Sequence, residues 1–98
     1  MTGKKYDADK LRYDLLEPRV LREEVAALTR GARKYSPRNW QKVVRDPDGP
    51  NRYLAAAFRH IEAFRMGESL DPETEIHHLA HARACLMFVL WADLEGRD

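Results

Sequence analysis

Three of the chain's four histidines fall within five positions of the run ETEIHHLAHA, residues 73–82. His78 and His81 are one helical turn apart and share a face, while His77 is rotated away. The H-x-x-H spacing suits two imidazoles binding one metal ion. Two more polar side chains interrupt apolar helix faces: Glu24 shares a stripe with Val20, Ala27 and Gly31, and His60 aligns with Tyr53, Ala57 and Phe64. A buried carboxylate or imidazole without a partner is costly, so such groups must meet one another, a metal or water. Helical bundles build metal sites from ligands that project inward from facing helices. The candidate ligand set is Glu24, His60, His78 and His81, with Glu73 as a further ligand or as the base that activates water. Asp71 and Glu75 offer additional oxygens, although acidic residues at a helix start also suit the helix dipole. The competing reading is a hydrogen-bonded core: histidines satisfied by one another, Glu24 paired with an arginine, and Cys85 simply packed.

A second constellation is basic and aromatic. Lys10 and Arg12 alternate in KKYDADKLRYD, Lys34, Tyr35, Arg38, Asn39 and Trp40 crowd GARKYSPRNW, and Arg52 and Arg59 share a helix face. Arginine and lysine bind phosphate oxygens well. Trp40 or Tyr35 offers a face for a purine, and Asn39 offers both a donor and an acceptor to its edge. The alternative is that Trp40 packs into the core and Asn39 caps a helical turn, with the cations on an ordinary solvated surface.

These residues need helices to position them. Residues 1–16 read as an arm. Pro18 suits a helix first turn, and Leu21, Val25, Leu28, Ala32 and Tyr35 repeat at helical steps, which predicts a helix over 18–35. Ser36-Pro37 ends it. Residues 36–51 read mostly as loop, with a helical turn around 40–44. Asn51 is a good N-cap for a helix over 51–66, and Asp71-Pro72 suggests a start for a third over 72–94. The stretch LAHARACLMFVLWA is apolar nearly all round, the pattern of a buried helix. Three helices cannot cover it alone, so a second chain is expected there, in a homodimer or homotetramer. The fold class is all-α: a small bundle of three main helices completed by oligomerisation.

Ninety-eight residues make a single domain over 1–98. The chain is 44% hydrophobic and 34% charged, which excludes a disordered chain. No apolar run approaches bilayer-spanning length, so no membrane partner is expected. MTGKKYDADK has no apolar core and does not read as a signal peptide. One cysteine, Cys85, excludes an internal disulfide and fits a reducing compartment. A net charge of +1 gives no general drive toward nucleic acid, and none is expected as partner.

The pieces D-x-x-K-L-R-Y-D-L-L (Asp7 to Leu16), E-E-V-A (Glu23 to Ala26), G-A-R-K-Y-S-P-R-N-W (Gly31 to Trp40), R-H-I-E-A-F (Arg59 to Phe64), G-E-S-L-D-P-E (Gly67 to Glu73) and H-L-A-H-A (His78 to Ala82) cover nearly the whole chain. In them the chain resembles the phage-associated dATP/dGTP diphosphohydrolase, N-terminal domain family, related to the MazG-like all-α NTP pyrophosphatases. The resemblance implies hydrolysis of a purine deoxynucleoside triphosphate, dATP or dGTP, to monophosphate and pyrophosphate. It also implies an oligomer and a divalent metal, usually Mg²⁺; the expected location is the cytoplasm, that of the host if a phage encodes it. On that reading Glu24, His60, Glu73, His78 and His81 lie near the metal, Lys10, Arg12, Arg52 and Arg59 neutralise phosphate, and Asn39 and Trp40 bind the base. The wider group carries E-E-x-x-E and E-x-x-D, where this chain has Ala27 after Glu23-Glu24 and H-x-x-H later. Imidazole suits Mn²⁺, Co²⁺ or Zn²⁺ better than Mg²⁺, which prefers oxygen. Two other readings stay open: a non-catalytic helical phage protein that binds nucleotide or a partner protein, and a metal phosphohydrolase that releases triphosphate or phosphate. A consecutive His-Asp pair, which would favour the latter, is absent.

Overall fold

The computed structural model describes residues 8–97, so the first seven residues of the expected arm lie outside the described residues. The rest of the arm is exposed, with one 3-10 turn at Tyr13–Leu15. Four helices follow: α1 (Pro18–Lys34), α2 (Asn39–Arg45), α3 (Gly49–Arg65) and α4 (His78–Glu95). Among the described residues there is no strand, only an isolated antiparallel bridge between Leu70 and His77. The all-α expectation holds, but with four helices rather than three: the turn around 40–44 is a complete short helix.

Helix α1 starts as the sequence suggests. Pro18 takes the first position and the Glu17 side chain accepts the Arg19 backbone N–H at 3.1 Å. The start of α3 corrects the expectation at Asn51. The helix begins two residues earlier because Gly49 is buried against the end of α2, where a Cβ would strike the Val43 carbonyl oxygen and lie 2.6 Å from the Val44 carbonyl carbon. No side chain larger than hydrogen fits there, so a tight turn joins the two helices.

The start of α4 is the larger correction. Asp71-Pro72 does not open the helix, which begins at His78. Glu75 adopts a left-handed φ of 62°, which no continuing helix tolerates. Residues 70–77 instead fold into a closed turn. Asp71 Oδ1 accepts the Glu73 N–H at 2.7 Å, the Ile76 carbonyl accepts the Asp71 N–H at 2.9 Å, and the Ser69 carbonyl accepts the His78 N–H at 2.8 Å. His77 then caps α4, its Nδ1 accepting the Leu79 N–H at 3.0 Å.

The main packing is α3 on α4, with α1 and α2 completing one side of α4. The buried apolar residues are mostly small: Ala27, Ala57, Ala80, Ala82, Ala84 and Cys85, with Val44 the largest fully buried side chain. Small residues let helix axes approach closely. Tyr53, Ala56 and Ile61 cover the Ala57–Ala82–Cys85 centre. On the far side of α4, Leu86, Leu90 and Leu94 are 47%, 59% and 55% exposed. No helix among the described residues is long and apolar enough to cross a membrane.

Candidate active site

Two turns bring the polar residues together. Gly67 ends α3 with φ +102°, and the backbone closes with Gly67 N–H to the Phe64 carbonyl and Glu68 N–H to the Ala63 carbonyl, both 3.0 Å. This left-handed stop, natural for glycine, reverses the chain and carries Glu68 back toward α4. The 70–77 turn then sets Asp71 and Thr74 beside the histidines.

The resulting cluster is tight. His60 Nδ1 and His78 Nδ1 are 2.8 Å apart, and His78 Nε2 lies 2.6 Å from Glu68 Oε1. Asp71 Oδ2 is 3.9 Å from His60 Nδ1. His81 stacks on His60 with ring centroids 4.8 Å apart, and its Nε2 shares a 2.7 Å hydrogen bond with Thr74 Oγ1. A carboxylate only accepts, so His78 Nε2–H donates to Glu68 and the His78 lone pair is at Nδ1. The hydrogen bond between the two Nδ1 atoms therefore has His60 as donor.

Electrostatics follow from this crowding. Burial lowers the pKa of His60, and the neighbouring His81 and His78 lower it further. Burial also lowers that of His81, against the pull of Asp71 and with a further push from His78. Both rings are thus held neutral at pH 7, the form that ligates metal. Burial pushes the Asp71 carboxyl up, but hydrogen bonds from the Glu73 and Thr74 backbones outweigh it and hold the group ionised. His60, Asp71 and His78 each offer one ligand atom, all within 4.8 Å of one another. Neutral imidazoles with one carboxylate match the donor set of a divalent transition metal. The His60 and His78 Nδ1 atoms either share a proton or share a metal.

Not every sequence-derived candidate joins this cluster. Glu24, 15% exposed, forms an ion pair with Arg83 Nε at 2.9 Å and ties α1 to α4. Glu73 lies at the mouth, 72% exposed, with Oε1 4.0 Å from Lys34 Nζ. Arg12 pairs with Asp14 at 2.7 Å on the exposed arm, where Lys10 also lies, and neither borders a cavity. Trp40 is not an exposed loop residue: it stacks on Phe88 with centroids 4.5 Å apart and meets Trp91 edge-on at 5.1 Å. Asn39 opens α2 rather than a loop. Glu68 and Thr74 were missed. The Gly67 helix stop was a readable signal for the reversal at Glu68, but its contact with His78 depends on the turn that follows.

Two cavities open beside the cluster. The smaller, about 250 Å³, is bordered by His60, Asp71, Glu73, His81, Arg30 and Lys34. The larger is a cleft of about 1270 Å³ whose lining includes Tyr35, Arg38, Asn39, Trp40, Arg52 and Arg59.

A family model described as "dATP/dGTP diphosphohydrolase, N-terminal" matches residues 1–98. The chain is also 37% identical over 91 residues to a dATP/dGTP diphosphohydrolase of Salmonella phage PMBT28. That alignment covers 93% of this chain and 30% of the relative, so the chain spans less than a third of that protein's length. No solved structure matches it.

Proposed function

The chain belongs to the dATP/dGTP diphosphohydrolase, N-terminal family, and from that membership and the histidine cluster we propose a metal-dependent hydrolase that converts a purine deoxynucleoside triphosphate to monophosphate and pyrophosphate. The carrying observation is the convergence of His60, Asp71 and His78 beside a charged cavity. These three residues would hold the ion, Mn²⁺ or Mg²⁺ with Zn²⁺ or Co²⁺ as alternatives. When bound, a divalent ion polarises a phosphoryl oxygen and acidifies water.

The chain's own residues supply the rest. Glu68 fixes the His78 tautomer with its lone pair at Nδ1, the arrangement in which an outer carboxylate orients a ligating imidazole. Asp71 is oriented by the Glu73 N–H. Glu73, exposed at the mouth, takes the proton of the attacking water. Water adds to the α-phosphorus, the bond to the bridging oxygen breaks, and pyrophosphate leaves with that electron pair. Arg30 and Lys34, the cations that border the histidine cavity, balance its charge. Asn39 meets the base edge, and Tyr35, 64% exposed on the cleft, offers an aromatic face, while Trp40 on the same cleft stacks on Phe88.

The exposed Leu86, Leu90 and Leu94 stripe supports assembly with a second copy through α4. Light scattering at micromolar concentration then gives at least a dimer mass, and a strict monomer removes the assembly.

The test of function is a screen of dNTPs and NTPs with several divalent ions, products resolved by chromatography. Purine dNMP and pyrophosphate are expected. Triphosphate, phosphate or no product overturns the reaction.

One observation favours a second reading, a non-catalytic nucleotide-binding module: among the described residues no buried side-chain nitrogen or oxygen lacks a hydrogen-bond partner, so the buried atoms of the cluster are satisfied by the protein itself. Under it, metal analysis of the purified protein finds no bound ion, and added Mn²⁺ does not raise the melting temperature.

A further inference from the structure

The two cavities divide their chemistry sharply. No acidic or histidine side chain lines the cleft, although Tyr35, Trp40 and Tyr53 do. The smaller cavity is bordered by His60, His81, Asp71 and Glu73, with only Phe88 as an aromatic ring outside its histidines. At about 250 Å³ it falls below the roughly 300–1,000 Å³ of sites that enclose a small molecule. Neither cavity alone suits a ligand with a polyanionic end and an aromatic end.

They meet at a shared border. Ala27, Gly31 and Phe88 line both. Gly31 is the informative member. It lies inside α1, where glycine costs about 0.5–1 kcal/mol relative to alanine. Its backbone does not require glycine, and a Cβ built there meets nothing within 4 Å. Close packing therefore does not explain it; open space lies in front of it.

Two cations flank this passage. Arg30 and Lys34, one turn apart on α1, border the histidine cavity. Lys34 links both sides, its Nζ 4.0 Å from Glu73 Oε1 and 5.3 Å from the centre of the Tyr35 ring.

We propose that the two cavities form one bipartite site for a nucleoside triphosphate, with the polyphosphate on Arg30 and Lys34 in the histidine cavity and the nucleoside passing Gly31 into the aromatic cleft. This rests on the nucleotide reading above and assigns its two halves. It gives the cleft arginines Arg38, Arg52 and Arg59 to the nucleoside, since guanidinium N–H groups match the O6 and N7 acceptors of a guanine edge and the N7 acceptor of adenine.

The test is equilibrium binding of α,β-methylene dGTP and of inorganic tripolyphosphate, with Mn²⁺ present, so that turnover does not enter. In Gly31→Leu the new side chain bars the passage. Binding of the dGTP analogue is expected to weaken at least about tenfold, the loss of one stacked base. Tripolyphosphate binding stays within about twofold of wild type, tenfold being 1.4 kcal/mol. Retained tripolyphosphate binding also shows that the variant is folded. Gly31→Ala, too short to close the passage, binds both probes as wild type does. The double variant Arg30→Gln, Lys34→Gln loses about tenfold or more for tripolyphosphate, as expected when charge-assisted hydrogen bonds are lost. The joined site is overturned if Gly31→Leu binds the dGTP analogue normally, or loses both probes equally. It is also overturned if Arg52→Gln or Arg59→Gln, rather than the α1 pair, weakens tripolyphosphate. Wild type that binds neither probe removes the nucleotide reading itself, whereas wild type that binds both while Gly31→Leu is indifferent removes only the passage.

Discussion

At the histidine end each of the three clustered imidazoles is held through a ring nitrogen by another polar group: Glu68 holds His78, His78 holds His60, and Thr74 holds His81. At the aromatic end the order is reversed. Trp40 stacks on Phe88 and meets Trp91 in a T-shaped contact, while Tyr35 stays exposed. The first region is a closed hydrogen-bond network in which few arrangements satisfy every group. The second is a wall of rings in which one aromatic builds the fold and another is free for a ligand. Residue type alone does not say which aromatic has which task.

The sharpest way to break this contrast is at His78. His78→Ala removes a proposed metal ligand and leaves Glu68 and His60 without their partner. Metal-dependent turnover should fall to background, beyond the about 10–100-fold typical of losing an outer-shell group. Mn²⁺ should raise the melting temperature of wild type and not of the variant. Equal protection of both would leave the cluster a structural network.

At the other end the two aromatics should separate cleanly. Trp40→Ala should destabilise the fold by about 3 kcal/mol, in the range of large core truncations. Tyr35→Ala should keep stability within about 0.5 kcal/mol. It should raise KM about tenfold with kcat preserved, as for loss of base stacking. If Trp40→Ala changes the preference among dNTPs at unchanged stability, the roles are exchanged.

The histidine network also predicts a pH dependence. His60 and His81 have folded pKa values below their ordinary 6.5, so the unfolded chain takes up protons first as pH falls. Their contribution is complete above about pH 6.5 and is lost as pH falls through the lowered folded values. Denaturant midpoints should decline below that pH, and His60→Gln should flatten the decline. A midpoint independent of pH between 7 and 5 would contradict it.

The smallest effect is expected at Glu24. Its ion pair with half-exposed Arg83 is worth at most about 1 kcal/mol. Glu24→Gln should therefore leave kcat unchanged with a slight loss of stability. A collapse of activity would restore Glu24 to the reaction.

Much of the fold was legible because helix periodicity is local. The apolar repeat from Leu21 to Tyr35 and the run through Leu79 to Ala92 marked α1 and α4 within the chain itself. His78 and His81 could be placed on one face by spacing, and His60 stood out on an apolar stripe. Their meeting was readable to that extent.

The remaining decisions were made between elements. The start of α4 depended on the left-handed Glu75 and the closed turn beneath it, where side chains compete with the helix for backbone N–H groups. Whether Glu24 faced the histidines depended on where Arg83 of another helix lay. Trp40 read as an exposed loop aromatic because the rings it packs on, Phe88 and Trp91, lie about fifty residues away. Sequence determined which faces were polar, apolar or aromatic, since those follow from residue type and a fixed helical period. Only the tertiary structure decided which polar groups became partners and which ring remained open, because both depend on distances between segments that the period of any one helix does not set.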